Sequence, residues 1–217
     1  MGDIFREVDE ELKQERYEKL WREYRWYIIG AAVVIVAVVA GRQAWNEYQT
    51  SQRYAEGKRF TAAAALLLDG KTTEAANAFS GLAQNTSSGY GVLSRFYQAS
   101  IAAKAGDTLH AIEIYDRIAD DSGVPNSMRQ LAAVLATFQA LKVSSISGQT
   151  IRDRIQPMTG AGKPYRHVAL EILALTAQRD GDADAARANY QAIVDDPKAA
   201  TGIRTRAAQM LNILSAS

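Results

Sequence analysis

The stretch GDTLHAIEIYDRIADD, from Gly106 to Asp121, decides the fold, because the same pattern occurs twice more in the chain. The other copies are GKTTEAANAFSGLAQN from Gly70 and GDADAARANYQAIVDD from Gly181. Counted from each glycine, an alanine stands at +5, an aromatic residue at +9 and an aliphatic residue at +12. A further alanine stands seven residues before each glycine. These positions hold Ala63, Ala75, Phe79 and Leu82, then Ala99, Ala111, Tyr115 and Ile118, then Ala174, Ala186, Tyr190 and Ile193.

This pattern predicts pairs of antiparallel α-helices. A glycine closes the first helix of each pair because it adopts positive φ without a steric penalty. The small alanines allow close approach of the two helices, and the aromatic residue fills the space against the next pair. Gly106 and Gly181 are 75 residues apart, which leaves room for one degenerate pair, SMRQLAAVLATFQALKV followed by a helix around TIRDRIQPM. A last helix with apolar residues on one face, IRTRAAQMLNILSAS, is expected to close the array.

The three copies resemble the tetratricopeptide repeat, whose period is about 34 residues. The large aromatic residue that this repeat carries early in its first helix is missing, since Arg59, Arg95 and Leu170 stand there. We therefore predict an all-α chain with a degenerate tetratricopeptide-like α-solenoid of antiparallel helix pairs over residues 49–217. A generic helical bundle is the alternative. Turn-rich loops are expected at Asn85–Gly91 and Thr159–Pro164.

An apolar segment near the N-terminus, WYIIGAAVVIVAVVAG, carries no charge from Trp26 to Gly41. Nineteen residues separate Trp26 from Trp45, which is about 28 Å of helix and matches two aromatic belts at the membrane interfaces. We predict a transmembrane helix over residues 26–48. The expected interface residues are Arg25, Trp26 and Tyr27 at one end and Arg42, Trp45 and Tyr48 at the other. A buried core helix and a cleaved signal peptide are the alternatives.

Residues 1–25 are predicted to form a cytoplasmic amphipathic helical tail, because apolar residues recur at spacings of three and four. Six Lys and Arg residues precede the span and four follow it closely. This small difference favours a cytoplasmic N-terminus and places the C-terminal domain on the far side of the membrane.

No sequence pattern indicates catalysis, a cofactor or a metal. Cysteine is absent and the net charge is +1, so thiolate chemistry is excluded and a nucleic-acid partner is not expected. His110 and His167 have no ligand-type spacing. Gly160–Lys163 lacks the flanking residues of a phosphate-binding loop. The carboxylate pairs Asp120–Asp121 and Asp195–Asp196 are interpreted as solvated turns at the ends of repeats. We expect neither an enzyme nor a small-molecule substrate.

The opening DIFREVDEELKQERYEKLWREYRWYIIGAAVVIV, followed by the repeat domain, resembles the alphaproteobacterial branch of the YfgM-like ancillary subunits of the Sec translocon. The resemblance implies a single-pass protein of the bacterial inner membrane with its helical domain in the periplasm. It also implies contact with Sec translocon subunits and with periplasmic chaperones that receive exported proteins. A membrane-tethered scaffold in envelope biogenesis or cell division, without translocon contact, is the alternative. Partner identity, binding face and oligomeric state are left open by the sequence.

Overall fold

The computed structural model describes the backbone of residues 3–85 and 89–216, and the side chains of residues 21–84 and 89–215. This part of the chain is all-α and contains no strand. The chain divides into two compact units, Met1–Ala55 and Glu56–Ser217. The domain boundaries predicted after residues 25 and 48 both fall inside the first helix and stay predictions.

Helix α1 runs from Asp3 to Leu68 and is 66 residues long. Up to Ala55 it forms the first unit. A tail is predicted over residues 1–25, and the side chains of residues 1–20 lie outside the described residues. From Glu56 onward, α1 belongs to the second unit.

The second unit continues with helices joined by short connections. They are α2 (Thr72–Asn85), α3 (Gly89–Lys104), α4 (Thr108–Asp120), α5 (Asn126–Ala140), α6 (Gly148–Ile155), α7 (Arg166–Arg179), α8 (Ala183–Val194) and α9 (Thr201–Ala216). One turn of 3-10 helix, Gln156–Met158, follows α6. Each helix from α2 onward packs against the next one in sequence, and α5, α7 and α9 also contact one another in series. The connectivity is that of consecutive antiparallel helix pairs.

The GD dipeptide explains how two of these pairs turn. Gly106 has a φ of +87°, and the Asp107 backbone N–H donates to the Ala102 carbonyl at 2.9 Å, which satisfies the end of α3. The Asp107 carboxylate then accepts the His110 backbone N–H and caps α4. Gly181 and Asp182 repeat this arrangement between α7 and α8. Two adjacent residues thus end one helix and begin the next.

The degenerate pair consists of α5 and α6, and it uses a different turn. Ser147 is the N-cap of α6, and its side chain accepts the Thr150 backbone N–H. The predicted loop Asn85–Gly91 is wrong at both ends, because α2 includes Asn85 and α3 already begins at Gly89. Tyr90 packs against Gly57 of α1, and Gly91 is buried, so tertiary contacts extend the helix through residues of low helix propensity. Residues 86–88 of that loop lie outside the described residues.

Three apolar clusters form the core of the second unit. The first lies between the end of α1 and α2, the second and largest extends from α3 to α7, and the third joins α7, α8 and α9. In the third cluster, Ile203 and Ala207 are buried, and Met210, Leu211 and Leu214 pack against them. The predicted apolar face of the last helix therefore closes the end of the array.

Candidate interaction surface

The residues that define the repeat pattern are buried. Ala75, Ala111 and Ala186 are 0% exposed, and the aromatic residues Phe79, Tyr115 and Tyr190 are at most 4% exposed. Gly70, Gly106 and Gly181 all have positive φ. Burial raises the pKa of Tyr190 to about 12, and the nearby Glu171 carboxylate adds to the shift. These side chains hold the helices together, so any binding surface is formed by other residues.

The apolar segment of α1 is exposed in the first unit. The isoleucine and valine side chains from Ile28 to Val39 are 46% or more exposed, and the window that includes them is 0% buried. Among the described residues, this is one helix that is long and apolar enough to cross a membrane. The predicted interface side chains Trp26, Tyr27, Trp45 and Tyr48 are also 60% or more exposed. Arg25 lies 5.6 Å from the centre of the Trp26 ring, a cation–π distance.

The carboxylates Asp121 and Asp196 are not free turn residues, which corrects the sequence interpretation. The Arg95 guanidinium donates to Asp121 at 2.9 Å, and this hydrogen bond lowers the pKa of the Asp121 carboxyl. Each aspartate is the second of its pair and stands at +15 from its repeat glycine. Asp120 and Asp195 are exposed, as expected for solvated turns.

His167 has a structural partner as well. Its Nε2 lies 2.9 Å from Asp196 Oδ2, and Arg166 Nη1 lies 2.7 Å from the same oxygen. The hydrogen bond with His167 is the main reason that the pKa of the Asp196 carboxyl is lowered. This contact ties the start of α7 to the connection between α8 and α9. The sequence signal for it was the repeated aspartate at +15, which the repeat alignment could have revealed.

A groove with a volume of about 430 Å³ lies between α2, α3 and α4. It is lined by Ser80, Ala83, Gln84, Arg95, Gln98, His110, Ile114 and Arg117. Three of these side chains, Arg95, His110 and Arg117, are basic, and none of the described residues that line the groove is acidic. The His110 and Arg117 side chains are 50% and 61% exposed, so the groove is open to solvent. Sequence analysis found no ligand-type spacing for His110 and did not connect this residue with the two arginines.

An aromatic cluster lies on the other side of α3. Phe60, Phe79 and Tyr97 are mutually in contact, with centroid distances from 4.7 to 5.5 Å, and Tyr90 lies 5.5 Å from Phe60. Phe79 is fully buried, while Tyr97 is 38% exposed. The cluster therefore anchors α1 and α3 to α2 and exposes one aromatic edge.

Helices α7 and α9 are joined by a two-point ion pair. Both Arg206 Nε and Arg206 Nη2 donate to the Glu171 carboxylate, at 3.0 and 2.9 Å. This hydrogen-bonded pair raises the pKa of Arg206. Within the described residues, no group of three or more His, Asp or Glu side chains is placed to hold a metal ion.

A family model described as a tetratricopeptide repeat-like domain matches residues 18–141, more than half of the chain. The chain belongs to this family. The match includes the tetratricopeptide-like pairs α1–α2 and α3–α4 and ends just after α5. The tetratricopeptide-like pair α7–α8 lies beyond the match but repeats the same glycine, alanine and tyrosine positions. No curated protein and no solved structure matches the chain. Membership of this family indicates a protein–protein interaction module.

Proposed function

We propose that this protein is a membrane-anchored interaction subunit of the Sec translocon, which links the channel to periplasmic chaperones for exported proteins. The observation that carries the proposal is the exposed apolar segment with aromatic ends on the same chain as an array of helix pairs. A stretch of exposed apolar surface of this length is stable only in a lipid or protein environment. The resemblance of residues 3–36 to the ancillary translocon subunits supports the choice of complex.

In this proposal, the span places the C-terminal domain in the periplasm and restricts it to the plane of the inner membrane. Restriction to the membrane raises its effective concentration near other membrane complexes. The binding face is the side on which α5, α7 and α9 follow one another, because stacked helix pairs present their first helices as a continuous surface for a partner segment.

Topology is tested with single cysteines, because the natural chain has none and each introduced thiol is then the sole site of labelling. Gln149→Cys reports on the repeat domain and Gln14→Cys on the N-terminal tail. A membrane-impermeant maleimide applied to cells with a permeabilised outer membrane should label the first variant and not the second. Labelling of the tail alone would reverse the proposed orientation.

The partner is tested by photocrosslinking in native membranes. A photoreactive residue replaces Leu175, on the half-exposed side of α7, in the full-length protein. The matched probe replaces Leu109 of α4, which is 63% exposed and lies outside the proposed face. Sec channel subunits and periplasmic chaperones should be crosslinked by the α7 probe, and in smaller amounts by the α4 probe. Recovery of only cell-division or envelope-assembly proteins would replace the translocon assignment with the scaffold alternative.

A further inference from the structure

The groove between α2, α3 and α4 is lined by basic, uncharged polar and apolar side chains. Arg95 and Gln98 come from α3, His110 and Arg117 from α4, and Gln84 from α2. Ala83 and Ile114 supply the apolar part of the lining. Arginine and amide side chains together offer several N–H donors in a small volume. A ligand that fits this lining has acceptor oxygens beside a small apolar group.

The acidic residues nearest the groove leave donor capacity in these basic side chains. Arg117 lies 3.7 Å from Glu113, and both side chains are more than 60% exposed, so this contact is weak. His110 lies 3.4 Å from the same Glu113 carboxylate. Arg95 is held at 2.9 Å by Asp121, through one of its two terminal nitrogens. The ion pair fixes the position of the Arg95 side chain, and its remaining N–H groups stay available to a ligand.

We propose that this groove binds an acidic segment of a partner protein, in which Asp or Glu side chains flank an apolar residue. The carboxylates would contact Arg117 and Arg95, and the apolar residue would lie against Ala83 and Ile114. Charge complementarity supports this occupant, because the lining is basic and its volume suits a few side chains. A nucleic-acid strand requires a longer basic track than two arginines and one histidine. The inference does not depend on which membrane complex the protein serves.

Binding is measured with the full-length protein in detergent micelles, by fluorescence anisotropy of a labelled nine-residue peptide with four glutamates around a central leucine. The control peptide carries four glutamines instead. The glutamate peptide should bind, and its affinity should fall as the salt concentration is raised. The glutamine peptide should bind at least about tenfold more weakly. Equal binding of the two peptides would overturn the proposal.

The location of the site is tested by matched charge reversals. Arg117→Glu should lower the affinity for the glutamate peptide by about tenfold or more, because it places a carboxylate beside the carboxylates of the peptide. Lys163→Glu changes the net charge equally on an exposed loop far along the chain, and it should have little effect. Arg117→Gln provides a milder variant, with an expected loss of about twofold to fivefold. Circular dichroism checks that each variant remains folded.

Three outcomes would count against the groove. Equal losses in Arg117→Glu and Lys163→Glu would mean that the peptide responds only to overall charge. Displacement of the peptide by low millimolar inorganic phosphate would indicate a small-anion site. Stronger binding to vesicles of anionic phospholipid than to the peptide, lost in Arg117→Glu, would assign the groove to a membrane surface.

Discussion

Gly148, the first residue of α6, lies directly against the Asp180 carboxylate at the end of α7. A Cβ atom placed on Gly148 would overlap with Asp180 Oδ2. Arg152 holds that oxygen at 2.7 Å, so the carboxylate is not free to move away. The carboxylate also lies at the N-terminus of α6, where the helix dipole favours negative charge. This contact joins the degenerate pair to the last one.

Gly148→Ala should therefore destabilise the protein by about 1–3 kcal/mol, the usual cost of forcing extra volume into a packed site. Urea denaturation followed by circular dichroism measures the change. Gly81→Ala is the matched control, because Gly81 lies within α2 and its Cβ would meet nothing within 4 Å. The control should gain about 0.5–1 kcal/mol from helix propensity. A Gly148→Ala variant as stable as the natural protein would contradict the close contact.

Gly106→Ala should cost about 1–2 kcal/mol for a different reason, namely the backbone conformation. Gly106 has a φ of +87°, and a Cβ there would meet nothing within 4 Å, so no steric clash contributes. Gly106→Asn should lose less stability, because asparagine tolerates positive φ better than alanine does. The urea midpoint of unfolding should be highest for the natural protein, lower for Gly106→Asn and lowest for Gly106→Ala. A lower midpoint for Gly106→Asn than for Gly106→Ala would refute this prediction.

Phe79→Ala should be more damaging than either glycine substitution, with a loss of about 3–5 kcal/mol. Phe79 is 0% exposed and stacks on Tyr97 at a centroid distance of 4.7 Å. Phe79→Leu is the control, because it keeps most of the apolar volume. If the two variants unfold at the same denaturant concentration, the loss of stability does not come from the apolar volume removed at position 79.

Asp196→Asn should lower the melting temperature at neutral pH, because it removes the negative charge that Arg166 and His167 contact. The pKa of the Asp196 carboxyl is lowered from its ordinary value of 3.8, so its contribution to stability is present above pH 3.8. That contribution is lost as the pH falls through the lowered pKa. The difference in melting temperature between natural protein and variant should accordingly be smaller at about pH 2 than at pH 7.

Asp195→Asn is the comparison for this titration, since Asp195 precedes Asp196 and is exposed. Its Oδ1 accepts a hydrogen bond from Gln191 within the same turn, a contact that an amide oxygen also supports. A small effect on the melting temperature at pH 7 is expected for it. An Asp196→Asn difference that stays constant from pH 7 to pH 2 would show that the charge of Asp196 is irrelevant to stability.

Ile35→Arg should impair membrane insertion, because a charge in the middle of a spanning helix costs about 2.5–3.5 kcal/mol. Ile35 is 63% exposed within the apolar segment. Ile35→Leu preserves the apolar character and should fractionate with membranes as the natural protein does. Carbonate extraction and fractionation measure the outcome, and membrane retention of the arginine variant would contradict a spanning role for this segment.

Much of the fold could be predicted from the sequence because the repeat positions of each copy lie close together along the chain. The glycine, alanine and aromatic residues of one pair lie within about twenty residues, so their spacing reports local helix geometry directly. The family comparison confirms the tetratricopeptide-like character of the chain. Membrane insertion, orientation and the translocon partner stay predictions.

The groove could not be predicted because its components come from three helices that are separate in sequence. Arg95 and Arg117 are brought together only when α3 packs beside α4. The ion pair between Arg95 and Asp121 likewise joins residues 26 positions apart. Helix periodicity assigns each such side chain to a face, but it does not say which face of the next helix it will meet.

The neighbour-by-neighbour packing of the helices has a consequence for the way the chain folds as it is made. From α2 onward, each helix makes most of its contacts with its neighbours in sequence, so the contacts are short-range in sequence and favour rapid folding. Every pair can therefore assemble soon after it leaves the ribosome. The exception is the end, where Tyr190 and Ile193 belong to an apolar cluster that also needs Ile203 and Ala207 of α9. Synthesis that stops before α9 would leave this surface exposed, and such a product would be a substrate for proteases and a source of aggregation.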